Sequence, residues 1–369
     1  MECEDTHFLA HFITFGATEL RTSLHMLKKG IENISKGRAA LMGFAILWII
    51  GFHYSFLFDT PLRPFFRNGY LGVDVFLMLS SFGLCFSFEK EQNTSAFYKK
   101  RVLRIIPLWW LLLTVLLLVN MLEGGNYPHS ILQYLCYYSG AGWWFFHNEP
   151  FGIYYYEWYV PTLLLFYVMF PFFYRQNNRR LATLLAIAMI AGALLAYYHV
   201  NDRMFLSYFR LPVFIAGIFL YRIYRQEALQ NRMTACLVSL SAVIGAIGVY
   251  HYIAHPMRNG ALSAGLAQYS FMLALPALMA LFAWTMQKIR ISGTLAFIGT
   301  ITLELYMLHI YNVPLRYVER IIDNHNVAVA VTTLLLIPIA WGISRLAAKL
   351  FPARKSRDTK EIHINNQNK

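Results

Sequence analysis

Two histidines lie inside long apolar segments, where ionisable side chains are rare. His53 lies near the far end of ALMGFAILWIIGFHYSFLF, and His309 lies in ITLELYMLHIYNVPL. Ionisable residues inside a membrane span carry a cost and usually mark a functional site. At a rise of 1.5 Å per residue, each histidine lies about 21 Å from the inner end of its segment. The two could therefore share a polar cavity, with His53 as a general base, or each could only hydrogen-bond a neighbouring helix.

Two acids accompany the histidines. Asp74 lies in the first turns of the second apolar segment, where it could complement the helix dipole or hold a histidine in one tautomer. Glu304 lies five residues before His309, and a charge at that depth must be paired or face water. We expect Asp74 and His309 to be catalytic with His53, and Glu304 to contact substrate. Arg210 is a candidate partner for an acid.

A basic cluster, FYKKRVLRIIP, precedes the third apolar segment. Arg101 and Arg104 are spaced i, i+3, so on a helix they share a face. Guanidinium groups bind phosphate in a bidentate manner. The cluster, including Lys100, is either a phosphate-binding mouth or the usual positive charge of a cytoplasmic loop.

Aromatic side chains concentrate between residues 143 and 159, and Glu157 lies among them. Such residues often form a belt at the membrane interface. The alternative is a surface on which sugar rings stack, which makes Trp158, Tyr159 and Glu157 candidate substrate contacts.

The composition places these residues in a polytopic membrane protein. The 369 residues are 57% hydrophobic and 14% charged, with a mean hydropathy of +0.44. A soluble domain carries about 25% charge. The net charge of +13 then reflects the positive-inside rule and does not indicate nucleic-acid binding. The four cysteines are scattered without metal-ligand spacing, so neither a metal site nor a disulfide framework is expected.

Ten segments are long and apolar enough to span a bilayer, which predicts an all-α bundle. If the N-terminus is cytoplasmic, the inner segments carry 24 Lys and Arg residues and the outer segments carry 6. That asymmetry predicts that both termini are cytoplasmic and that 131–146 does not cross, forming instead a re-entrant or interfacial element. The predicted spans are 39–57, 70–88, 105–122, 158–174, 181–199, 205–221, 233–253, 266–286, 295–315 and 327–348.

In this order the motifs resemble the acyltransferase-3 family, integral-membrane enzymes that O-acetylate bacterial surface polysaccharides. The matching stretches are ALMGFAILWIIGFH, GVDVFLMLSSFGL, FYKKRVLRIIP, WYVPTLLLFYVMFPFF and LELYMLH. The resemblance implies that His53 is catalytic and that Arg101 and Arg104 bind acyl-CoA. With the composition of the two ends, we expect three regions: a cytoplasmic, weakly ordered N-terminal extension (1–37), a transmembrane acyltransferase domain (38–349) and a basic, polar cytoplasmic tail (350–369).

Two positions depart from the family pattern. Met42 stands where many members have an arginine, and the nearest arginine is Arg38, one turn earlier. Leu163 stands where many members have a glutamate, and it cannot replace a carboxylate. We therefore expect Arg38 to join the acyl-CoA-binding residues and the acceptor to differ from that of better-known members.

The resemblance implies an O-acyltransferase of the bacterial inner membrane that moves an acetyl group from acetyl-CoA, or another acyl group from acyl-CoA, to a carbohydrate or glycolipid hydroxyl. Three alternatives stay open. They are a different superfamily of membrane O-acyltransferases, acylation of a lipid or amino-acid headgroup, and a transporter or flippase without chemistry. The sequence leaves the oligomeric state and direct transfer versus an acyl-enzyme undecided.

Overall fold

The computed structural model is helical throughout its regular secondary structure. It describes residues 2–54, 61–124, 127–146, 158–198, 204–225, 232–254, 261–310 and 313–351, and within this part of the chain there are no strands. The prediction of an all-α protein is therefore confirmed. Glu157 and residues 352–369 of the predicted tail lie outside the described residues, and the division into three regions stays a prediction.

The helices follow one another with short connections, and a 3-10 turn at Gly69–Leu71 leads into the third of them. They are α1 Glu2–Tyr54, α2 Arg63–Arg67, α3 Gly72–Glu91, α4 Thr94–Leu122, α5 Ile131–Ser139, α6 Gly142–Phe146, α7 Tyr159–Arg175, α8 Asn178–Tyr197, α9 Phe205–Tyr208, α10 Leu211–Arg225, α11 Arg232–Ala254, α12 Ala261–Lys288, α13 Ser292–Gly299, α14 Thr302–His309, α15 Val313–Glu319 and α16 His325–Leu350.

Within the described residues, seven helical segments are long and apolar enough to cross a membrane, and two apolar helical segments are shorter. These lengths and compositions make the chain an integral membrane protein. The count of ten spans and the cytoplasmic position of both termini stay predictions. The seven segments are Lys28–Tyr54, Gly69–Glu91, Thr94–Leu122, Asn178–Tyr197, Phe205–Arg225, Leu262–Lys288 and His325–Leu350.

The segment 131–146 forms two short helices, as its glycines suggest. Ser130 and Gln133 make a reciprocal capping box at the start of α5, and Gly140 ends that helix with a φ of 81°, which favours glycine. The nine residues of α5 rise about 14 Å, roughly half of the hydrocarbon thickness. The segment is therefore divided into two short helices, and its position relative to the membrane stays a prediction.

The predicted span 295–315 is not one unbroken helix, because the structure divides its described residues between α13, α14 and α15, and its crossing of the membrane stays a prediction. The first break follows Gly299, where the hydroxyl of Thr300 donates to the carbonyl of Phe297. Gly299 and Gly43 let α13 approach α1 so closely that a Cβ at Gly299 would meet the backbone carbonyl of Ala39. Small residues permit such contacts between membrane helices, and a broken helix is tolerated where it lines a cavity.

Candidate active site

The ends of α1 and α14 bring the two predicted histidines into contact. The Nε2 atom of His309 lies 3.1 Å from Nδ1 of His53, although the residues are 256 positions apart. His309 is fully buried, whereas His53 is half-buried. Counting residues from the start of each apolar segment placed both histidines at a similar depth in the membrane, and in the structure their rings are in contact.

Hydrogen bonds to the backbone determine the tautomer of each ring. His309 Nδ1 lies 2.9 Å from the carbonyl of Leu305, and His53 Nδ1 lies 3.0 Å from the carbonyl of Ile49. A carbonyl only accepts, so both Nδ1 atoms carry the proton when the rings are neutral. Nε2 of His309 then has a lone pair, and the single Nδ1–H of His53 is shared between this lone pair and the carbonyl of Ile49. The consequence is that Nε2 of His53 also has a lone pair, and this atom can take a proton from a substrate.

Aromatic side chains enclose the histidine pair. The hydroxyl of Tyr54 donates to the carbonyl of His309 over 3.4 Å, and the ring of Tyr306 lies 5.7 Å from the imidazole of His309. Tyr306 in turn packs against Tyr159, with 4.9 Å between ring centroids. These contacts fix the orientation of His309 and connect the pair to the interior of the bundle.

A cavity of about 190 Å³ gathers three of the predicted cationic residues, and we call it the arginine cavity. Arg38 of α1 and Arg101 and Arg104 of α4 line it, together with the buried Glu304 of α14. The remaining lining residues are Met42, Phe76, Leu79, Ser80, Gly83, Leu84, Ser87, Ile105, Tyr159, Leu163, Tyr167, Gly299, Thr300, Thr302, Leu303 and Tyr306.

The arginine cavity runs lengthwise through the bundle. Along α3 it extends from Ser87 to Phe76, and the eleven steps between them correspond to about 16 Å. Arg101 donates to the hydroxyl of Ser87 over 3.0 Å, so the guanidinium lies at one end. At the other end Phe76 packs on Tyr159, which contacts the ring of Tyr306. This end therefore approaches the histidine pair.

Gly83 makes room for the guanidinium of Arg38. A Cβ at Gly83 would meet the terminal atoms of Arg38, so any larger residue there must displace this side chain. Both positions that depart from the family pattern, Met42 and Leu163, line the same cavity as Arg38. Arg38, one turn before Met42, therefore lies in the same cavity that Met42 lines.

Asp74 lies beside Arg210 at the start of α3, and both side chains are fully buried. Arg210 Nε is 3.3 Å from the Asp74 carboxylate, and the guanidinium also donates to the carbonyls of Leu206 and Tyr70. It stacks over the ring of Trp158 at 4.7 Å. Sequence reasoning proposed Asp74 as a partner for a histidine or for Arg210, and the structure records the contact with Arg210.

The other candidates have different surroundings from those expected. Lys100 forms an ion pair with Glu91, so its charge is directed to the end of α3. Tyr159 is buried and lines the arginine cavity, which places it in the core instead of on an aromatic surface. One face of Trp158 is covered by Arg210. Sequence reasoning missed Tyr306, although it lies three residues before His309 and so shares its helix face.

Comparison with known proteins identifies the class. The acyltransferase-3 family model, described as an acyltransferase domain, matches residues 40–345. The chain therefore belongs to this family of acyltransferases, which confirms the resemblance. A protein of Acidianus two-tailed virus whose name proposes an acetyltransferase, ORF330, is 37% identical over 90 residues. The match covers 24% of this chain and 27% of that relative. No solved structure matches the chain.

In the part of the chain that the structure describes, no group of three or more His, Cys, Asp or Glu side chains could hold a metal ion. Among the described residues, the histidine pair uses its nitrogens for the backbone and for each other, and one lone pair remains on His53. Such an arrangement can perform proton transfer.

Proposed function

We propose that the chain transfers an acetyl group from cytoplasmic acetyl-CoA to a hydroxyl of a cell-surface or periplasmic carbohydrate, in the bacterial inner membrane. The observation that carries the proposal is the arginine cavity. Its three arginines lie near one end, and its other end reaches the aromatic rings beside His309 and His53. One continuous path would then serve a donor held by its phosphates and a base that activates the acceptor.

The donor is held at the arginine end. Coenzyme A carries phosphates, and guanidinium groups bind phosphate through charge-assisted bidentate hydrogen bonds. Arg101 and Arg104 share one face of α4, and Arg38 joins them from α1. The pantetheine arm follows the cavity along α3 toward Tyr159 and Tyr306. Arg38 supplies the charge that the family pattern places at Met42.

The chemical step is an acyl transfer that the histidine pair assists. His53 Nε2 takes the proton from the acceptor hydroxyl, whose oxygen forms a bond to the thioester carbonyl carbon. The carbon–sulfur bond breaks, and the sulfur leaves as the thiol of CoA with the proton that His53 held. The lone pair of His309 Nε2 stabilises the imidazolium through the 3.1 Å hydrogen bond. Positioned proton transfer contributes typically about 10²–10⁴-fold.

The acceptor reaches His53 from the predicted outer side, opposite the arginines. The residue His53 is intermediate in burial, and the acceptor hydroxyl approaches its Nε2 atom. Leu163 gives the arginine cavity an apolar wall where many members have a carboxylate, and Glu304 supplies a carboxyl group from α14. Because the carboxyl group lies on α14 instead of at position 163, we expect an acceptor different from that of other members.

The donor part is tested by acetyl-CoA affinity of the purified protein. We expect Arg101→Ala and Arg104→Ala each to weaken binding about tenfold or more, because hydrogen bonds to charged groups contribute about 1.5–3 kcal/mol. Arg101→Lys should not restore binding, since an ammonium lacks the planar fork. Lys99→Ala is the matched control, because Lys99 is exposed and does not line the cavity. Equal affinity of the arginine variants and this control would refute the donor site.

The acceptor part is tested with inside-out membrane vesicles that contain the protein. Acetyl-CoA labelled in its acetyl group is added, and label that mild alkali releases is measured in glycan, lipid and peptidoglycan fractions. Ester-bound label in the glycan fraction supports the proposal. Label in lipid alone would assign a headgroup acceptor and overturn the carbohydrate acceptor, while no transferred label in any fraction would overturn the enzyme function proposed here.

A further inference from the structure

A second, larger space lies on another side of the bundle, and we call it the apolar groove. It has a volume of about 1090 Å³ and is lined by residues of α1, α8, α10, α11 and α12, with Met78 of α3. Ile34 and Met78 border it, whereas Arg38 and Leu79 of the same helices border the arginine cavity. Met78 and Leu79 point about 100° apart, so the two spaces lie on different faces of α3, whereas Ile34 and Arg38 are one turn apart on the same face of α1.

The walls of the apolar groove are hydrocarbon and small side chains. Ala182, Ala216 and Ala242 come from three different helices and leave the space between them. The protein's own side chains leave these apolar walls uncovered. Leu237 on its wall is 58% exposed, so the groove opens to the surroundings of α11, an apolar helix of the membrane domain. Its occupant is therefore apolar over most of its surface.

One end of the apolar groove is cationic. Arg222 of α10 donates to the carbonyls of Tyr174 and Gln176 and to the amide oxygen of Asn178. Because these acceptors are neutral, they do not neutralise the positive charge of Arg222. Arg179, in the first turn of α8, is exposed beside it. Among the described residues that line the groove, no carboxylate balances these charges. The groove thus combines a positive end with long apolar walls.

We propose that the apolar groove binds an anionic phospholipid, with its phosphate at Arg179 and Arg222 and its acyl chains along the apolar walls. The charge and the hydrocarbon surface occur in one continuous groove, as an amphiphile requires. A second copy of the chain fits less well, because a two-fold contact at this face would bring the same positive ends together. In the predicted topology the cationic end faces the cytoplasmic leaflet, where Lys and Arg attract anionic lipids.

The test uses native mass spectrometry of the full chain in detergent with phosphatidylglycerol and phosphatidylcholine of equal chain length. The wild type should retain more phosphatidylglycerol than phosphatidylcholine. Arg179→Gln should lower its occupancy about fivefold, the effect of one cation near an anionic surface. Arg180→Gln is the matched control, because Arg180 is the adjacent exposed arginine and does not line the groove. Equal retention by Arg179→Gln and Arg180→Gln, or no preference for the anionic lipid, would overturn the proposal.

A second pair of variants fills the apolar part of the groove. Ala182 is exposed on the groove wall, so Ala182→Phe places a ring in the space without disturbing a buried core. It should reduce retention of both lipids, whereas Thr183→Phe, on the neighbouring exposed position outside the groove, should not. Unchanged lipid retention by Ala182→Phe would overturn the site. A lipid-free wild-type dimer that Ala182→Phe dissociates, measured by light scattering, would also overturn it and assign the groove to a second copy.

Discussion

The contact between His309 and His53 allows a specific prediction about their division of labour. His53 carries the available lone pair, and His309 accepts the hydrogen bond that stabilises the imidazolium during transfer. His309→Ala removes that acceptor but leaves Ile49 to hold the His53 tautomer. We therefore expect His309→Ala to lower kcat while the KM for acetyl-CoA stays close to that of the wild type.

The magnitude follows from a single charge-assisted hydrogen bond. Such a bond contributes about 1.5–3 kcal/mol, and 1.36 kcal/mol corresponds to a factor of ten in rate. His309→Ala should therefore reduce kcat about 10- to 150-fold. His53→Ala removes the base itself and should reduce it about 10²–10⁴-fold. The double variant should be no slower than His53→Ala within about threefold, because residues that act as a unit are not additive.

The assay is the rate of labelled ester formation in vesicles at saturating acetyl-CoA. His325→Ala is the control, because this exposed histidine lies at the start of α16 and pairs only loosely with Glu319, at 3.5 Å. The folding of each variant is compared by its thermal midpoint in detergent. Wild-type kcat for His309→Ala, or a double variant whose loss equals the product of the single losses, would refute the assignment.

Three further predictions concern packing and positioning. Gly83→Leu should raise the KM for acetyl-CoA as much as Arg38→Ala, because the new side chain displaces that guanidinium; unequal KM values would contradict this. Asp74→Ala should destabilise the protein by about 3–5 kcal/mol in thermal unfolding, because it leaves a buried guanidinium unpaired. Gly299→Leu should lower the unfolding midpoint far more than Gly293→Leu, whose added Cβ has open space; similar midpoints would argue against close helix packing.

Much of the architecture could be predicted from the sequence. Apolar runs of span length predicted an all-α membrane protein, because a helix needs about 20 apolar residues to cross a bilayer. The asymmetry of basic residues predicted the topology, which stays a prediction. The i, i+3 spacing of Arg101 and Arg104 predicted a shared face, and both arginines line the same cavity. Equal depth of the two histidines predicted a shared environment, and the rings are in contact.

The parts that the sequence could not predict depend on contacts between distant segments. The break after Gly299 arises where α13 approaches α1, and hydropathy over 295–315 carries no sign of it. Burial of Tyr159 follows from its contact with Tyr306, 147 positions away, so an aromatic-rich segment alone was misleading. The ion pair of Asp74 and Arg210 was only one of the options open to an acid at a helix start.

The central claim is that this chain acetylates a surface carbohydrate with His53 as the base. The most direct measurement is mass spectrometry of ester-linked acetyl groups on surface glycans from cells with the wild-type chain, with His53→Ala, and without the chain. We predict ester-linked acetyl groups only with the wild type, and glycans from the His53→Ala cells that match those from cells lacking the chain. Identical acetylation in all three would contradict the account, as would full acetylation with His53→Ala.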